Sequence, residues 1–470
     1  MSHLIDLDAT DQLAALRAGW LTVPELAEMT LDRIDGRNPV LNAVISLRDR
    51  DAVMAEAVRL QSGPPRGPLH GLPIAIKDLT ETAGVRTTYG FLGTKDFVPT
   101  EDSPMVARLR AAGALVIGKT NTPEFGLGSH SYNRVSGVTR NPYDPSRSAG
   151  GSSGGAGAAL AARMVALADG SDMMGSLRNP AAWNNVYGFR PGYGLVPNTP
   201  MGDMFLHPLS TDGPMARSIR DLELLLGVQA AHDGRHPASV GPYVPHTGRV
   251  PPLRIGWLGD WGGAYPMEAE ISALCEAGLA VLEDLGHTVV TLAPPFPADL
   301  LWQSWTTLRS WAVAEKLRPI WQSGAQAALL KPEAQWEIER GRSLSAAEVH
   351  AASVIASDWF RRRAELPVDV IALPSAQMFP FPADWDWPKQ VAGREMDTYH
   401  RWMEVVVPAS LIGLPALSVP VGFGASGLPM GLQLIGRRGE DALVLAMGRA
   451  YEAATDWPGR RPPPAPFGHG

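Results

Sequence analysis

Short β-rich runs alternate with helical runs from Gly71 onwards, and this alternation is the strongest indication of the fold of this chain. The runs LPIAIK (72–77) and LVIGKT (115–120) have the composition of buried strands, and SPMVARLRAAGA (103–114) between them has helical spacing. After a glycine-rich loop, AGAALAARMVALADG (156–170) is predicted to form a further helix. This order of elements predicts an α/β architecture.

The flanking segments are predicted to pack around this core. Residues 8–35 place apolar side chains at helical intervals, so one helical face is expected to pack against the core; these side chains are Leu13, Leu16, Leu21, Leu26, Met29 and Ile34. Residues 235–251 are rich in Pro and Gly and are interpreted as a connector before a new strand in LRIGWLGD (253–260). The aromatic run 300–321 is expected to be a packed helix, 379–388 to have no regular element, and the tail 460–470 to be extended or disordered.

Charge and cysteine content point to a small-molecule partner. The chain has 41 basic and 48 acidic side chains and a formal net charge of −7, which favours neither nucleic acid nor an anionic membrane surface. No secretory leader and no apolar run of about 18 residues are evident, so a cytoplasmic location is expected. The single cysteine, Cys275, is interpreted as a buried helix thiol rather than a nucleophile or ligand.

Lys77 ends the first predicted strand and is the first candidate for chemistry. An exposed lysine has a pKa near about 10.4 and is a poor base at neutral pH, but burial disfavours the ammonium and makes the neutral amine available. The competing interpretation is an ordinary exposed lysine at a strand end. The choice between a buried base and an exposed lysine depends on the other candidate residues in the chain.

The glycine loop 150–155, GGSSGG, is open to three interpretations. A phosphate-binding loop would require a Gly-Lys-Ser/Thr pattern that is absent. The spacing also fits G-x-S-x-G with Ser153 as nucleophile, but such an elbow follows a strand, and the preceding NPYDPSRSAG (141–150) is predicted not to be one. The third interpretation, a serine-capped turn before a helix, is compatible with function because glycine allows close approach of the backbone to a substrate.

A second cluster, residues 170–179, combines an acid, a glycine and a serine. Glycine beside serine exposes backbone N–H groups, as an oxyanion hole requires when an amide carbonyl becomes tetrahedral. Ser176 is therefore the leading candidate nucleophile. Asp172 and Arg178 are predicted to form a structural ion pair that holds this loop.

Taken together, these motifs resemble the amidase signature family. The resemblance is carried by GLPIAIKD, GKTNTPEFG, TRNPYDPSRSAGGSSGG, DMMGSLRNPAA and GFRPGYGLVP in that order, with weaker similarity in GLPALSVPVGF and GLPMGLQLIGR. It implies one amidase domain over residues 1–470, with a helical segment at 1–64, a signature core at about 65–220 and a substrate-pocket elaboration at about 250–460. The implied fold is a central mixed, twisted β-sheet flanked by helices on both faces.

The resemblance also implies roles for individual residues. Lys77 matches the family's catalytic lysine, Ser152 its bridging serine and Ser176 its acyl-forming nucleophile. A cis peptide is implied between Gly151 and Ser152, Ser153 is expected to support the loop, and no metal or organic cofactor is implied. The implied oxyanion hole consists of the backbone amides of Met173, Met174, Gly175 and Ser176.

One position departs from the family pattern, because Met174 stands where the first of two glycines is usual. If that position requires a positive φ, methionine is strained there. If it does not, the Met174 side chain narrows the acyl site. Altered specificity is favoured over lost activity, since Lys77, Ser152 and Ser176 are all present.

The resemblance predicts hydrolysis of a small, apolar or aryl amide by a monomer or homodimer, and esters and carbamates share the same acyl-transfer chemistry. Met204, Phe205 and Trp305 are candidate pocket residues. One alternative is the glutaminase component of a tRNA-dependent amidotransferase, against which LSTDGPM (209–215) and Met174 argue. An alternative of another class is a noncatalytic small-molecule binding protein.

Overall fold

The computed structural model describes residues 4–197 and 202–467. Its strands are β1 (Val44–Ile45), β2 (Pro73–Lys77), β3 (Leu115–Thr120), β4 (Tyr132–Asn133), β5 (Gly137–Val138), β6 (Arg140–Asn141), β7 (Asp144–Ser148), β8 (Leu167–Asp172), β9 (Tyr187–Arg190), β10 (Thr211–Ala216), β11 (Arg254–Trp257), β12 (Thr288–Thr291), β13 (Val370–Pro374), β14 (Gln390–Val391), β15 (Arg394–Glu395), β16 (Ala416–Phe423) and β17 (Pro429–Ile435).

Helices surround these strands along the whole described chain. They are α1 (Ala9–Ala18), α2 (Val23–Leu41), α3 (Arg50–Ser62), α4 (Pro104–Ala111), α5 (Gly154–Ala161), α6 (Arg178–Trp183), α7 (Ile219–Gln229), α8 (Ile271–Asp284), α9 (Ala298–Lys316), α10 (Arg318–Gln322), α11 (Gly324–Ala327), α12 (Pro332–Ser343), α13 (Ala346–Glu365), α14 (Val407–Leu411), α15 (Asp441–Thr455) and α16 (Trp457–Arg460). None of the helices in the described ranges is long and apolar enough to cross a membrane.

Eleven of the strands form one mixed sheet in the order β1-β3-β2-β8-β10-β9-β16-β17-β13-β11-β12. The pairs of β2 with β3 and β8, and of β11 with β12 and β13, are parallel, whereas β10 pairs with β8 and β9 in antiparallel register. The prediction of an α/β protein built on a central mixed sheet is confirmed.

Strand alternation divides the core between the two faces of this sheet. Ile74 and Ile76 of β2 belong to one buried cluster, and Ala75 between them belongs to another that includes side chains of α2, α3 and α5. Successive side chains of a strand point to opposite faces. Lys77 therefore shares the face of Ala75, on the side where α5 begins.

Two sequence predictions about local structure are corrected in detail. The helical stretch at 8–35 is divided into α1 and α2, because Gly19 adopts φ 71° after α1 and Thr22 caps α2 through a capping box with Glu25. The helix predicted at 156–170 ends at Ala161, and its last part instead forms β8, whose backbone pairs with β10. Apolar composition did not distinguish a buried helix from a buried strand at this point.

The prediction that residues 141–150 contain no strand is wrong. Within NPYDPSRSAG lie the end of β6 and all of β7, which pair as a two-stranded ribbon separate from the central sheet.

Other predictions about local structure are confirmed. They are the connector at 235–251, the new strand β11, the aromatic helix α9 and the irregular stretch at 379–388. In the C-terminal tail, Phe467 is buried, its carbonyl accepts a hydrogen bond from Arg37 Nη1 and its amide donates to the Pro464 carbonyl. The described part of the tail therefore ends in an ordered turn, where the sequence predicted an extended or disordered segment. Cys275 is a buried thiol in α8, as predicted.

Candidate active site

Lys77 lies at the centre of a cluster of hydroxyl groups. Its Nζ is 2.8 Å from Ser152 Oγ, 2.8 Å from Ser153 Oγ and 2.9 Å from Ser171 Oγ. The lysine is completely buried at the end of β2. The structure thus brings together Lys77 and Ser152, which the sequence singled out, and adds Ser171, which sequence reasoning missed.

The loop before α5 presents the two serines to the lysine. The Gly151–Ser152 peptide is cis, as the resemblance implied, and Gly150 adopts φ 76°. A Cβ on Gly151 would stand 2.9 Å from the carbonyl carbon of Ser129, so a larger residue would clash with backbone there. Ser131 stabilises the loop, because its Oγ accepts a hydrogen bond from the Gly154 amide at 3.0 Å and donates one to the Ser152 carbonyl at 3.3 Å.

Burial changes the acid–base behaviour of Lys77. Desolvation lowers the pKa of its amine to about 7, although the carboxylates of Asp169, Asp212 and Asp172 act in the opposite direction. A neutral amine carries two N–H donors and one lone pair, which matches three hydroxyl neighbours. The lysine can therefore accept a proton from a serine hydroxyl near neutral pH.

Asp169 of β8 binds the backbone amide of Lys77 and was not identified from the sequence. Its Oδ1 accepts a hydrogen bond of 2.9 Å from the Lys77 backbone amide, and its Oδ2 is buried with no hydrogen-bond partner in the described ranges. Burial raises the pKa of Asp169 to about 6. The residue is thus an anion above that pH, close to the amine.

The turn that carries Ser176 is organised by the carboxylate of Asp172. Its two oxygens accept from the amides of Gly175 (2.8 Å) and Leu177 (3.2 Å) and from the guanidinium of Arg178 (3.0 Å). Arg190 adds a further contact at 3.2 Å, and all three charged side chains are completely buried. Burial alone would raise the pKa of Asp172, but Arg178 and Arg190 hold it well below its ordinary value. The predicted ion pair is therefore present.

We expect Asp172→Asn to destabilise the protein by roughly 3 to 5 kcal/mol, because it leaves Arg178 and Arg190 buried without their counter-charge. Urea denaturation of the variant and the unchanged protein measures this difference. Asp144→Asn is the matched control, because the Asp144 side chain is 41% exposed and its ion pair with Arg147, at 3.6 Å, is in contact with solvent. Equal losses of stability in the two variants would contradict the proposed anchoring role of Asp172.

Ser176 lies beside the glycine loop. It is 6% exposed, and its carbonyl accepts from the Ser153 amide at 3.3 Å, which joins the turn of Ser176 to the serines around Lys77. Gly175 takes φ 72°, whereas Met174 has no positive φ. The glycine that normally precedes Gly175 in the family pattern is thus not required for backbone geometry here.

The four amides of the predicted oxyanion hole are not equivalent. Gly175 donates its N–H to Asp172, whereas the amides of Met173, Met174 and Ser176 donate to no acceptor in the described part of the chain. The expectation for Gly175 is therefore corrected: its amide stabilises the turn. Three amides are left that could donate to a developing oxyanion.

The predicted pocket residues do not converge on this cluster. Trp305 is 0% exposed and stacks on Trp302 in the core, so it lines no open surface. Phe205 is 81% exposed and its ring is not enclosed, while Met204 beside it is partly exposed. The apolar character of these residues did not reveal whether they lie in the core, in a pocket or on the surface. In the described ranges, no group of three or more His, Cys, Asp or Glu side chains is arranged to hold a metal ion.

Comparison with known proteins is consistent with this geometry. A family model described as Amidase matches residues 25–445. An acylamidase of Rhodococcus erythropolis is 33% identical over 485 residues, covering 97% of both chains. One component of the glutamyl-tRNA(Gln) amidotransferase of Chloroflexus aurantiacus is 35% identical over 499 residues, covering 98% of this chain and 99% of that protein.

Among solved structures, a bacterial aryl acylamidase of the amidase signature family superposes with a TM-score of 0.89. Its sequence is 28% identical, and the match covers 97% of this chain and 99% of that one. The similarity therefore extends over the fold as a whole.

Proposed function

This chain belongs to the amidase family of amide-hydrolysing enzymes, and on that premise we propose that it is a stand-alone hydrolase of small apolar or aryl amides acting through an acyl-enzyme on Ser176. The observation that carries the proposal is the buried Lys77 amine within 2.8 to 2.9 Å of three serine hydroxyls. Such an amine, with a pKa near 7, is suited to act as a general base.

In the proposed first half-reaction, Ser176 Oγ attacks the amide carbonyl while its proton passes to Ser152, whose own proton passes to Lys77. The amides of Met173, Met174 and Ser176 would stabilise the negative charge on the tetrahedral oxygen. The C–N bond then breaks, and the proton held by Lys77 returns through Ser152 to the departing nitrogen. The products are the free amine and an ester between the acyl group and Ser176.

Water completes the proposed cycle. A water molecule loses a proton through the same serine–lysine relay as it attacks the ester carbonyl, and the proton is then returned to Ser176 Oγ as the acid leaves. The serine and the neutral lysine are regenerated, so each turnover consumes one water and one amide. Esters and carbamates with a similar acyl group fit the same steps.

The preference for an apolar or aryl substrate rests on the side chains next to Ser176. Met173 is partly exposed, and Met174 is buried in the apolar core beside the turn. The acylamidase and aryl acylamidase similarities support the same substrate class. The apolar surface of Met173 would pack against an acyl or aryl group more favourably than against a charged one.

The main competing function is that of an amidotransferase glutaminase component, to which this chain is also similar. That function requires partner proteins and a glutamine substrate, whereas LSTDGPM at 209–215 and Met174 depart from the pattern expected of such a component. A noncatalytic binding protein would leave Ser176 unmodified by acylating reagents. Both alternatives are distinguished by activity of the isolated chain.

The test is hydrolysis by the purified chain alone of a panel of anilides, aliphatic amides, glutamine, esters and carbamates, followed by mass spectrometry of the products. We expect release of amine from anilides and apolar amides, and attachment of a fluorophosphonate to the peptide that contains Ser176. Activity confined to glutamine would favour the amidotransferase glutaminase. A folded protein with neither turnover nor labelling would favour a binding role.

A further inference from the structure

A buried arginine contacts the turn that carries Ser176. Arg309, on α9, is 3% exposed, and its guanidinium stacks over the Trp305 ring at 5.0 Å. Its Nη1 lies 3.1 Å from the thioether sulfur of Met173. The contact links α9 to Met173, whose amide is part of the proposed oxyanion hole.

Two neighbours hold this guanidinium in one orientation. Arg309 Nε donates to Glu337 Oε1 at 2.7 Å, and Nη2 donates to the Tyr399 hydroxyl at 2.8 Å. Tyr399 in turn donates to Glu337 Oε1 at 2.7 Å, and Ser310 donates to Oε2 at 2.5 Å. Glu337 accepts from three donors in this network, and its direct contact with the guanidinium compensates the charge of Arg309.

The guanidinium is nevertheless incompletely satisfied. Arginine has five N–H donors, and Arg309 makes three hydrogen bonds in the described part of the chain, one of them to sulfur. Thioether sulfur is a weak acceptor. Buried donors are normally paired with oxygen or water, so Nη1 can bind a stronger acceptor than the thioether.

The substrate side of the turn is where that acceptor would arrive. In the run 171–176, Ser171 and Met173 are partly exposed, whereas the other four residues are buried. Ser171 contacts the Lys77 amine and Met173 contacts Arg309, so the accessible edge of the turn lies between the proposed base and the arginine. A substrate placed against Ser176 would extend past Met173 towards Nη1.

We propose that Arg309 forms a substrate subsite that binds a neutral oxygen acceptor, a ketone, ester or ether oxygen, in the acyl or leaving group of the amide. This inference rests on the proposed function. Since Glu337 already compensates the guanidinium, a carboxylate would bring an uncompensated negative charge into a buried site, and a neutral acceptor avoids that cost. The apolar amides accepted by the enzyme would thus include a favoured group with one such oxygen at a set distance from the scissile bond.

The test compares matched substrates that differ only in this oxygen. The acyl pairs are 4-oxopentanoyl against 4-methylpentanoyl, and 5-oxohexanoyl against 5-methylhexanoyl, as 4-nitroanilides; the leaving-group pair is the 4-acetylanilide against the 4-isopropylanilide of butyric acid. We expect the unchanged enzyme to favour the ketone in at least one pair by about tenfold in kcat/KM, the effect of one hydrogen bond to a charged donor. Succinyl 4-nitroanilide tests the carboxylate and is expected to be a poor substrate.

Arg309→Met should reduce the ketone preference to within about twofold while hydrolysis of the methyl partner continues. The double variant Arg309→Met with Glu337→Gln guards against misfolding, because it removes both buried charges together. Arg340→Met is the matched control: Arg340 stacks on Trp336 in the same region but donates to Thr306 and Ser310 instead of approaching Met173.

Each outcome is decisive for one of the two proposals. A ketone preference that disappears in both Arg309 variants and persists in Arg340→Met supports the subsite. The subsite is overturned if no pair shows a ketone preference, if the preference survives in the Arg309 variants, or if only the succinyl substrate is favoured. Failure of the unchanged enzyme to hydrolyse even the methyl compounds would instead count against the proposed amidase function.

Discussion

Replacing Ser176 with alanine is expected to lower kcat by roughly 10⁵- to 10⁶-fold, the loss seen when a catalytic serine is removed from a hydrolase that works through an acyl-enzyme. The change deletes one oxygen, and the Ser176 hydroxyl makes no hydrogen bond in the described ranges. The free energy of unfolding should therefore change by less than about 1 kcal/mol. Initial rates, intact mass after fluorophosphonate treatment and urea denaturation together measure these effects.

Ser153→Ala tests the alternative nucleophile and is to be measured together with Ser176→Ala. If Ser153 were the nucleophile of a G-x-S-x-G elbow, labelling would disappear in Ser153→Ala and persist in Ser176→Ala. We expect the reverse, because Ser153 Oγ is held 2.8 Å from the Lys77 amine as one of its three hydroxyl neighbours and its amide is bound to the Ser176 carbonyl. Normal turnover by a folded Ser176→Ala protein would refute the nucleophile assignment.

Replacing Lys77 with methionine is expected to lower kcat by roughly 10²- to 10⁴-fold at pH 8, which is the usual contribution of a general base. Methionine retains an unbranched apolar chain of similar length but cannot accept a proton. The unchanged enzyme should lose activity about tenfold per pH unit below pH 7, because protonation of an amine whose pKa is about 7 removes the base. This acid limb should be absent from the residual activity of Lys77→Met.

Asp169→Asn tests the role of Lys77 as the base by shifting the pH dependence of activity instead of abolishing the activity. The Asp169 carboxylate stabilises the charged form of Lys77 and therefore raises its pKa, so removing the charge should lower that pKa further. The acid limb of kcat/KM is then expected to move to lower pH, with the plateau above pH 8 nearly unchanged. A move to higher pH, or an identical profile in Lys77→Met and the unchanged enzyme, would contradict the role proposed for Lys77.

Sequence reasoning succeeded where a short pattern reports on local chemistry. LPIAIK predicted a buried strand that ends in a lysine, and the structure places Lys77 at the end of β2 with no exposed surface. The ion pair of Asp172 and Arg178 was also anticipated, since the two residues lie close together in a tight turn. In each case, the prediction needed only residues that lie close together in the sequence.

It was less successful where the deciding contact lies far away in the chain. The end of the predicted helix at 156–170 became β8 because it pairs with β10, some 40 residues later. Phe205 and Trp305 are both aromatic, yet the first is exposed and the second is in the core. Ser171 could have been found from its position beside Asp172 and Gly170, but its distance to Lys77 could not.

From the sequence alone it could be predicted that the chain is an α/β protein, that a strand ends in Lys77, and that serines at 152 and 176 lie beside glycines. These features depend on hydrophobic periodicity and on turn residues, which act over a few neighbours. The packed fold was needed to show that three hydroxyls surround the amine, that Asp172 accepts a hydrogen bond from the Gly175 amide, and that Arg309 contacts Met173 from α9. Those contacts depend on long-range packing of the sheet and helices, and burial by that packing is also what lowers the pKa of Lys77 towards neutrality.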